Sequence, residues 1–206
     1  MHNSESEGKC LPLVERFFSV QGEGYHTGKA AYFIRLGGCD IGCSWCDSRF
    51  AWDPDLHPLV ETDHIVNSVI LSGTDSVVVT GGEPLIWNLN YLCSCLKNKN
   101  IKTFIETSGA YPLSGKWDWI CLSPKRNMPP LSSIYKMANE LKVVIQDGND
   151  FRWAEKNRKL VRKDCFLFLQ PEWKRFDDVI PDIVEYVKKN PLWRISLQTH
   201  KYMHIP

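Results

Sequence analysis

Seven short apolar runs recur along this chain, and they constrain its fold more than any other feature of the sequence. Most of them are rich in β-branched or aromatic residues, are almost continuously apolar and end in polar or turn residues. This pattern is typical of parallel strands that are buried on both faces of a sheet. The predicted strands are residues 31–37, 77–81, 102–107, 118–124, 141–147, 166–171 and 193–199.

Amphipathic segments separate several of these runs and are predicted to be helices. The three clearest are residues 62–73, 88–100 and 177–190. Thr62 and Asp177 stand where N-caps are expected. Pro181 would fit the first turn if the third helix began a few residues after Asp177.

The alternation of strands and helices predicts an α/β protein with right-handed crossovers. With 206 residues, the chain is shorter than the about 250 residues typical of a complete eight-stranded barrel. We therefore expect a partial, open TIM-like barrel of six or seven mostly parallel strands, formed by a single domain that covers residues 1–206. Residues 123–133 are expected to form a loop over one end of the sheet.

The charge and hydropathy of the chain argue against several classes of partner. Its formal net charge is +1, so no strong field points to nucleic acid or to an acidic membrane surface. The basic cluster at residues 156–163 is interpreted as the solvated face of a helix. No apolar run approaches the roughly 18 residues of a membrane span. The polar, acidic residues 1–10 are unlike a targeting signal, so a cytoplasmic location is expected.

Polar motifs follow the predicted strands at the points where the strands end. They are GGCDIGCSWCDS at residues 37–48, TGGEP at 80–84, ETSG at 106–109, SPK at 123–125, QPE at 170–172 and QTHKY at 198–202. In barrel-like α/β proteins the C-terminal ends of the strands carry the active site. These loops are therefore expected to lie close together at one end of the sheet and to form the active site there.

The loop after the first predicted strand holds Cys39, Cys43 and Cys46 in a C-x3-C-x2-C spacing. A structural zinc site needs four ligands, and no other cysteine or histidine has the usual paired spacing with this loop. A 4Fe–4S cluster is ordinarily held by four cysteines, so three would leave one iron open to an exogenous ligand. A closed metal site and incidental core thiols are the alternatives.

The other residues of this region and the remaining cysteines are interpreted from their surroundings. Ile41 and Trp45, between the three cysteines, would keep a cluster partly dry and tune its potential. The chain shows no secretion signal, so disulfides are not expected. Cys93, Cys95, Cys121 and Cys165 lie in apolar patterns and are predicted to be core residues.

The C-x3-C-x2-C spacing with an aromatic residue before the last cysteine resembles the radical S-adenosylmethionine (SAM) superfamily, and TGGEP resembles its glycine-rich strand-end motif. The ordered set of VQGEG, Arg35, the cysteine loop, TGGEP, ETSG, SPK, QPE and QTHKYMHIP resembles the family of 7-carboxy-7-deazaguanine synthases over nearly the whole chain. The resemblance implies a radical SAM domain with a 4Fe–4S cluster and SAM as cofactors. It also implies a lyase of queuosine or 7-deazapurine biosynthesis, which converts 6-carboxy-5,6,7,8-tetrahydropterin to 7-carboxy-7-deazaguanine with loss of ammonia.

The same resemblance implies roles for individual residues. Cys39, Cys43 and Cys46 would hold the cluster. Trp45, Asp47, Gly82, Glu83, Ser108, Ser123, Lys125 and Gln170 would line the SAM site. Val20, Gln21, Gly22, Glu23, Arg35, Thr80 and Pro206 would contact the substrate.

For several of these residues a structural role is the alternative. An arginine inside an apolar strand is costly unless it meets an anion. For Arg35 that anion would be the substrate carboxylate, or otherwise a structural Asp or Glu. Glu83 could instead cap the next helix, Lys125 could be a surface charge, and residues 21–23 could form a hydrogen-bonded glycine turn.

The resemblance further implies a magnesium ion and a closed C-terminal segment. Ser48 stands where the family usually has a threonine whose hydroxyl binds Mg²⁺, and serine keeps that hydroxyl; a cap or turn serine is the alternative. The segment that ends at Pro206 is expected to close over the site, with its terminal carboxylate reaching the substrate. His200 and His204 are not expected to be metal ligands.

The partners implied by the resemblance are a homodimer mate and an electron donor such as flavodoxin. Neither nucleic acid nor a membrane is expected as a partner. Two other functions stay open: another radical SAM enzyme, such as a glycyl-radical-enzyme activase, and a non-catalytic iron–sulfur or zinc-binding module.

Overall fold

A nine-stranded sheet frames the molecule in a computed structural model that describes residues 7–206. The strands are β1 (Cys10–Val20), β2 (Ala30–Leu36), β3 (Leu59–Glu61), β4 (Ser76–Gly81), β5 (Lys102–Thr107), β6 (Trp119–Leu122), β7 (Glu140–Ile145), β8 (Phe166–Pro171) and β9 (Trp193–Ile195). Their order is β3-β1-β2-β4-β5-β6-β7-β8-β9. From β2 to β9 every neighbouring pair is parallel, whereas β1 is antiparallel to both β2 and β3. Residues 1–6, which open the polar N-terminal stretch, lie outside the described residues.

The seven predicted strands are confirmed as the seven parallel strands of an open sheet. The sequence patterns missed β1 and β3. β1 is antiparallel and partly exposed, and its burial does not follow one simple alternation, while β3 has only three residues. Because β1 was missed, the sequence did not show that residues 21–29 connect two strands, β1 and β2, of an antiparallel pair.

Six α-helices are present in the described part of the chain: α1 (Thr62–Leu71), α2 (Asn90–Lys97), α3 (Ser132–Tyr135), α4 (Asn149–Arg158), α5 (Phe176–Lys189) and α6 (Thr199–Met203). The three predicted helices are confirmed as α1, α2 and α5. The predicted loop at 123–133 is confirmed up to residue 131, where α3 follows. The basic cluster at 156–163 covers the end of α4 and the loop after it, so only part of it lies on a helix. No helix within residues 7–206 is apolar over a stretch long enough to cross a membrane.

The predicted helix starts are wrong by one or two residues. Thr62 is the first residue of α1, after the N-cap Glu61, and its hydroxyl donates to the Gly8 carbonyl oxygen at 2.7 Å. The N-cap of α5 is Arg175, because a short 3-10 helix runs directly into α5 and starts the helical path early. Pro181 therefore lies inside the helix and not in its first turn.

The two faces of the sheet have different chemistry. One face forms the main core with the helices, and it contains Ile34, Val79, Ile105, Leu141 and Leu169. Because side chains of a strand alternate between faces, the neighbouring positions point to the other, concave face. That face carries Arg35, Thr80, Glu106, Lys142 and Gln170, which all line one cavity. The prediction of strands apolar on both faces therefore fails at the positions that build this cavity.

Candidate active site

All nineteen residues predicted for the site line a single cavity of about 250 Å³ on the concave face. The cysteine loop (residues 37–48), the ends of β4, β5, β6 and β8, the β1–β2 connection and the C-terminal segment all contribute to it. The expected convergence of strand-end loops is therefore observed. The ligand that each of these residues binds stays a prediction.

Backbone hydrogen bonds fix the cysteine loop against its neighbours. Gly38 and Cys39 donate their N–H groups to the carbonyls of Ala51 and Trp52, at 2.8 and 3.0 Å. The Gly38 carbonyl oxygen accepts from the N–H of Glu83 at 2.8 Å. The loop is thus held between the short helix that follows it and the TGGEP turn.

Gly82 is required by this close packing. A Cβ atom added at Gly82 would lie 2.7 Å from the Cβ of Cys39 and closer still to the Gly38 carbonyl oxygen. Real Cβ atoms do not approach other atoms so closely, so any side chain here would push the cysteine loop away. The resemblance places Gly82 at the SAM site, and the structure adds that this glycine allows the close approach of the cysteine loop.

The three thiols have the chemistry of a cluster site. All three cysteines are half-buried and line the cavity. Burial raises the pKa of Cys39 to about 11 and also raises the pKa of Cys43, so loading a cluster must release thiol protons. Within residues 7–206 no three His, Cys, Asp or Glu side chains converge as ligands of one metal ion, whereas thiolates of a 4Fe–4S cluster each bind a different iron. The donor set therefore fits an iron–sulfur cluster with three protein ligands.

Trp52 adds a hydrogen bond to this site that the sequence patterns did not predict. Its indole Nε1 donates to Cys46 Sγ at 3.4 Å. Donors to a ligating sulfur tune the potential of a cluster. The only signal in the sequence was the position of Trp52, shortly after the last cysteine.

Glu83 is the hydrogen-bonding centre of the TGGEP turn. Its side chain is 1% exposed. One carboxylate oxygen accepts from Leu85 N and Thr107 Oγ1, at 3.0 and 2.6 Å. The other accepts from Ser108 N and Oγ, at 2.8 and 2.5 Å. The alternative of a capping carboxylate is therefore observed, since Glu83 caps the short 3-10 helix Pro84–Ile86. It also fixes Ser108, a predicted SAM contact.

The remaining predicted SAM contacts lie on two sides of the cavity. Lys125 Nζ donates to Ser123 Oγ at 2.7 Å and lies 4.8 Å from the centre of the Trp45 ring. Burial lowers the pKa of Lys125, so the alternative of a plain surface charge does not hold. Gln170 is buried and accepts from Ser196 Oγ at 2.8 Å.

The β1–β2 connection reaches across the concave face to β7. The Tyr25 N–H donates to Glu140 Oε2 at 3.2 Å, and Glu23 is ion-paired with Lys142. Gly24 has a φ of +65°, and a Cβ there would collide with the Glu140 carboxylate. The second glycine of VQGEG, Gly24, is therefore needed for both its left-handed backbone and its lack of a side chain.

Four polar side chains form a network at this end of the cavity. Gln21 donates through Nε2 to Glu106 Oε1 at 3.0 Å and accepts from the Glu23 N–H at 3.0 Å. Lys142 pairs with Glu23 and lies 3.8 Å from Glu106 Oε2. Burial alone would raise the pKa of Glu23, but Lys142 and the amide of Gln198 outweigh it and lower the pKa to about 2. Glu23 is therefore a fixed negative charge at neutral pH.

Arg35 is not the lone buried arginine that the sequence suggested. Its Nε donates to Glu15 Oε1 at 2.6 Å, and its side chain is partly exposed to the cavity. The structural carboxylate weighed as the alternative partner is therefore present, on the missed strand β1. A substrate carboxylate at Arg35 stays a prediction. Thr80 pairs in register with Arg35 on the adjacent strand and lines the same wall.

The C-terminal segment ties the two ends of the cavity together. Gln198 donates through Nε2 to Glu23 Oε1 at 2.8 Å and to Asp47 Oδ2 at 3.3 Å. Lys201 donates to Asp47 Oδ2 at 2.7 Å. Burial would raise the pKa of Asp47, but these partners lower it to about 2. Asp47, predicted as a SAM contact, thus connects the cysteine loop to α6.

Three further predicted residues complete this wall. Ser48 is the N-cap of a short 3-10 helix, but its hydroxyl donates to Asp47 Oδ1 at 3.2 Å and makes no capping bond. A Cβ at Gly22 would lie 2.8 Å from the Cβ of His200, so the glycine lets α6 pack on the β1–β2 connection. The Pro206 carbonyl oxygen accepts from Ser19 Oγ at 3.3 Å beside Val20. His204 is exposed.

The cysteines outside the loop are mostly core residues, as predicted. Cys93, Cys121 and Cys165 are buried, and Cys95 packs partly buried against the core. All eight cysteines, which lie within the described part of the chain, are free thiols.

Comparison with known proteins agrees with this geometry. Residues 20–161 match the family described as a 4Fe-4S single cluster domain. The crystal structure of QueE from Escherichia coli matches with a TM-score of 0.82 at 28% sequence identity, covering 95% of this chain and 99% of that chain. The open parallel sheet and the three-thiol loop at its mouth therefore define the class: an iron–sulfur protein of the radical SAM type.

Curated relatives narrow the class to one family. A 7-carboxy-7-deazaguanine synthase from Flavobacterium psychrophilum is 53% identical over 200 residues, which are 97% of this chain and 95% of that protein. A second, from Synechocystis sp., is 45% identical and covers 94% and 93% of the two chains. This chain belongs to the 7-carboxy-7-deazaguanine synthase family, which confirms the resemblance found in its motifs.

Proposed function

We propose that this chain is a 7-carboxy-7-deazaguanine synthase, a carbon–nitrogen lyase that converts 6-carboxy-5,6,7,8-tetrahydropterin to 7-carboxy-7-deazaguanine with release of ammonia. The observation that carries the proposal is the single cavity. It joins a three-thiol loop to a polar pocket in which Gln21, Glu23 and Arg35 match the donors, acceptors and carboxylate of such a pterin. Membership of the family supports the same reaction.

Two cofactors are part of the proposal. Cys39, Cys43 and Cys46 would hold a 4Fe–4S cluster, and SAM would lie between Gly82, Trp45, Ser108, Ser123, Lys125 and Gln170. When bound, these groups supply the one-electron radical chemistry that removes a hydrogen atom from the substrate.

The protein's own residues would bind, orient and shield the reacting groups. Ile41 is buried beside the cysteines and Trp45 is half-buried, so both would limit water at the cluster. Arg35 would take the substrate carboxylate while its Nε keeps Glu15. Glu83 would act at one remove, because its contacts with protein donors hold the TGGEP turn and Ser108 in place.

Several finer parts of the proposal rest on the family resemblance. Ser48 would contribute a hydroxyl to Mg²⁺, and its contact with the ionised Asp47 would help to orient that hydroxyl. The chain would act as a single domain whose C-terminal segment closes over the site, as a cytoplasmic homodimer, with reduction by an electron donor such as flavodoxin. The contacts of Gln198 and Lys201 with Asp47 support the closing role.

The test uses anaerobically reconstituted, dithionite-reduced protein. Its electron paramagnetic resonance spectrum is recorded with and without SAM, and the carboxy-tetrahydropterin and Mg²⁺ are then added. The proposal predicts a shift of the cluster signal on adding SAM, followed by formation of the 7-deazaguanine acid. A shift without turnover would favour another radical SAM enzyme, and no shift would favour a closed metal site.

A pair of cysteine variants serves as the matched control. Cys43→Ser should abolish the cluster signal. Cys95→Ser, on α2 and outside the cavity, should retain it, although both variants remove one partly buried thiol.

A further inference from the structure

Lys142 is a buried cation for which the proposed reaction has no use. It lies in the middle of β7, is 4% exposed and points into the cavity. Its Nζ pairs with Glu23 and lies 3.8 Å from Glu106 Oε2. A buried lysine is costly unless it is paired, so these two carboxylates are what keep it in place.

The two carboxylates have matching surroundings on either side of the lysine. Glu23 Oε1 accepts from the amide of Gln198 at 2.8 Å. Glu106 Oε1 accepts from the amide of Gln21 at 3.0 Å. Each therefore has one amide donor and shares one cation, and both line the cavity.

The Lys142 ammonium lies between the two carboxylates and attracts their negative charge. Two carboxylates that share a site without a cation tend to hold one proton between them. Burial alone would lower the pKa of Lys142, but Glu106 and Glu23 raise it well above its ordinary value. The lysine therefore stays charged, and with it the Glu23 carboxylate stays ionised.

Other titratable groups face this trio from the surrounding elements. They are Cys121 on β6, Glu140 on β7, Lys125 after β6 and His200 on α6. Burial raises the pKa of Glu140 and lowers the pKa of His200, so both tend toward their neutral forms. The Lys142 ammonium is thus the cation in direct contact with the two carboxylates.

We propose that Lys142 is a positioning residue that sets ring specificity, by keeping Glu23 and Glu106 as a pair of pure hydrogen-bond acceptors. An ionised carboxylate accepts and cannot donate. Such a pair fits a 2-amino-4-oxo ring edge, which offers N–H donors, and opposes a 2,4-dioxo edge, which offers a carbonyl oxygen instead of the amino group. This inference rests on the proposed function, because it assumes that a pterin ring occupies this end of the cavity.

The test measures binding and needs no turnover. Reconstituted protein with SAM but without reductant is titrated anaerobically with 6-carboxytetrahydropterin and with its 2,4-dioxo analogue, 6-carboxytetrahydrolumazine. The wild type should favour the amino ring by at least about 100-fold, since an opposed acceptor pair is costly in a buried site. This preference should be constant between pH 8 and pH 5.5.

Lys142→Met removes the cation and keeps the length of the side chain. A carboxyl group can then take up a proton and donate its O–H to a carbonyl oxygen. The preference should fall to less than about 10-fold, and the dioxo ring should bind more tightly as the pH falls. Lys142→Arg keeps the charge and should restore most of the preference. Lys97→Met, which breaks the surface pair with Asp118, is the matched control and should behave as the wild type.

The outcomes separate this inference from the function on which it rests. If Lys142→Met binds both rings more weakly by the same factor, with the preference and its pH profile unchanged, the inference alone is overturned. Failure of the wild type to bind either ring would overturn the proposed function and the inference with it. If Lys142→Met does not fold, Glu106→Gln provides the same test, because its amide brings an N–H donor and should favour the dioxo ring.

Discussion

Replacing Glu83 with alanine should destabilise the protein more than the loss of one carboxylate usually does. The side chain is 1% exposed and accepts from four donors, which belong to Leu85, Thr107 and Ser108. A carboxylate has about four lone-pair sites, so Glu83 is fully occupied by the protein. Removing it leaves these donors in a buried site without their acceptor.

The expected magnitude follows from which donors can find another partner. The hydroxyls of Thr107 and Ser108 can rotate, and both already accept from backbone N–H groups nearby. The N–H groups of Leu85 and Ser108 cannot move, and each costs about 1–3 kcal/mol when left unsatisfied. The expected loss is therefore about 4 kcal/mol. For a chain of this size that corresponds to a fall in Tm of about 8–16 °C.

Glu172→Ala is the matched control for this measurement. Glu172 is also a buried glutamate that caps a short 3-10 helix, but its carboxylate accepts from one donor, the Lys174 N–H at 3.1 Å. It should therefore cost about half as much. The thermal unfolding of both variants is followed by circular dichroism. Both are also reconstituted with the cluster, and their binding of SAM is measured. If Glu83→Ala melts no lower than Glu172→Ala, the four-donor argument is wrong. A loss of SAM binding without a loss of Tm would make Glu83 a direct ligand.

Three other predictions come from the same geometry. Gly82→Ala should lower Tm by several degrees and reduce the iron bound per chain, because overpacking costs about 1–3 kcal/mol. Gly148→Ala is the control and should change neither quantity, because its added Cβ meets no atom within 4 Å. Trp52→Phe should lower the cluster midpoint potential by about 40 mV in a redox titration, if the lost bond to Cys46 contributes about 1 kcal/mol. Burial lowers the pKa of His26 from 6.5 to about 4, so unfolding takes up a proton and stability should fall as the pH drops from 6.5 to 4. In urea titrations, His26→Phe should reduce the dependence of the free energy of unfolding on pH between 6.5 and 4. An unchanged pH dependence would mean that other groups cause it.

The parallel strands could be predicted from the sequence because their signal is local. Each buried strand is a short β-branched run that reads the same whatever its neighbours are. β1 gives no such signal, because it is antiparallel and its burial depends on β2 and β3. The error had a consequence for the site: β1 carries Glu15, so the structural carboxylate considered as a partner of Arg35 could not be identified from the sequence.

The ligand-bearing loops could also be predicted, whereas the residues that hold them could not. Cysteine spacing and glycine-rich turns are local motifs. Gln198 contacts Asp47 across 151 positions of sequence, and no local pattern encodes such a pairing. Lys142 is different, because the argument applied to Arg35, a cation inside an apolar strand, applies to it with more force. It could have been found and was not.

The two ends of the cavity are built in different ways, and this bears on how the protein can vary. The cluster end is held by bonds within residues 37–52 and to the TGGEP turn, and by side-chain donors from Trp87, Tyr111 and Asn127. The substrate end is assembled from the β1–β2 connection, β5, β7 and α6, which are far apart along the chain. Destabilising β7 or α6 should therefore impair substrate recognition before it impairs cluster binding. Asp47 contacts both Gln198 and Lys201, so Asp47→Asn should weaken the attachment of the C-terminal segment to the cysteine loop.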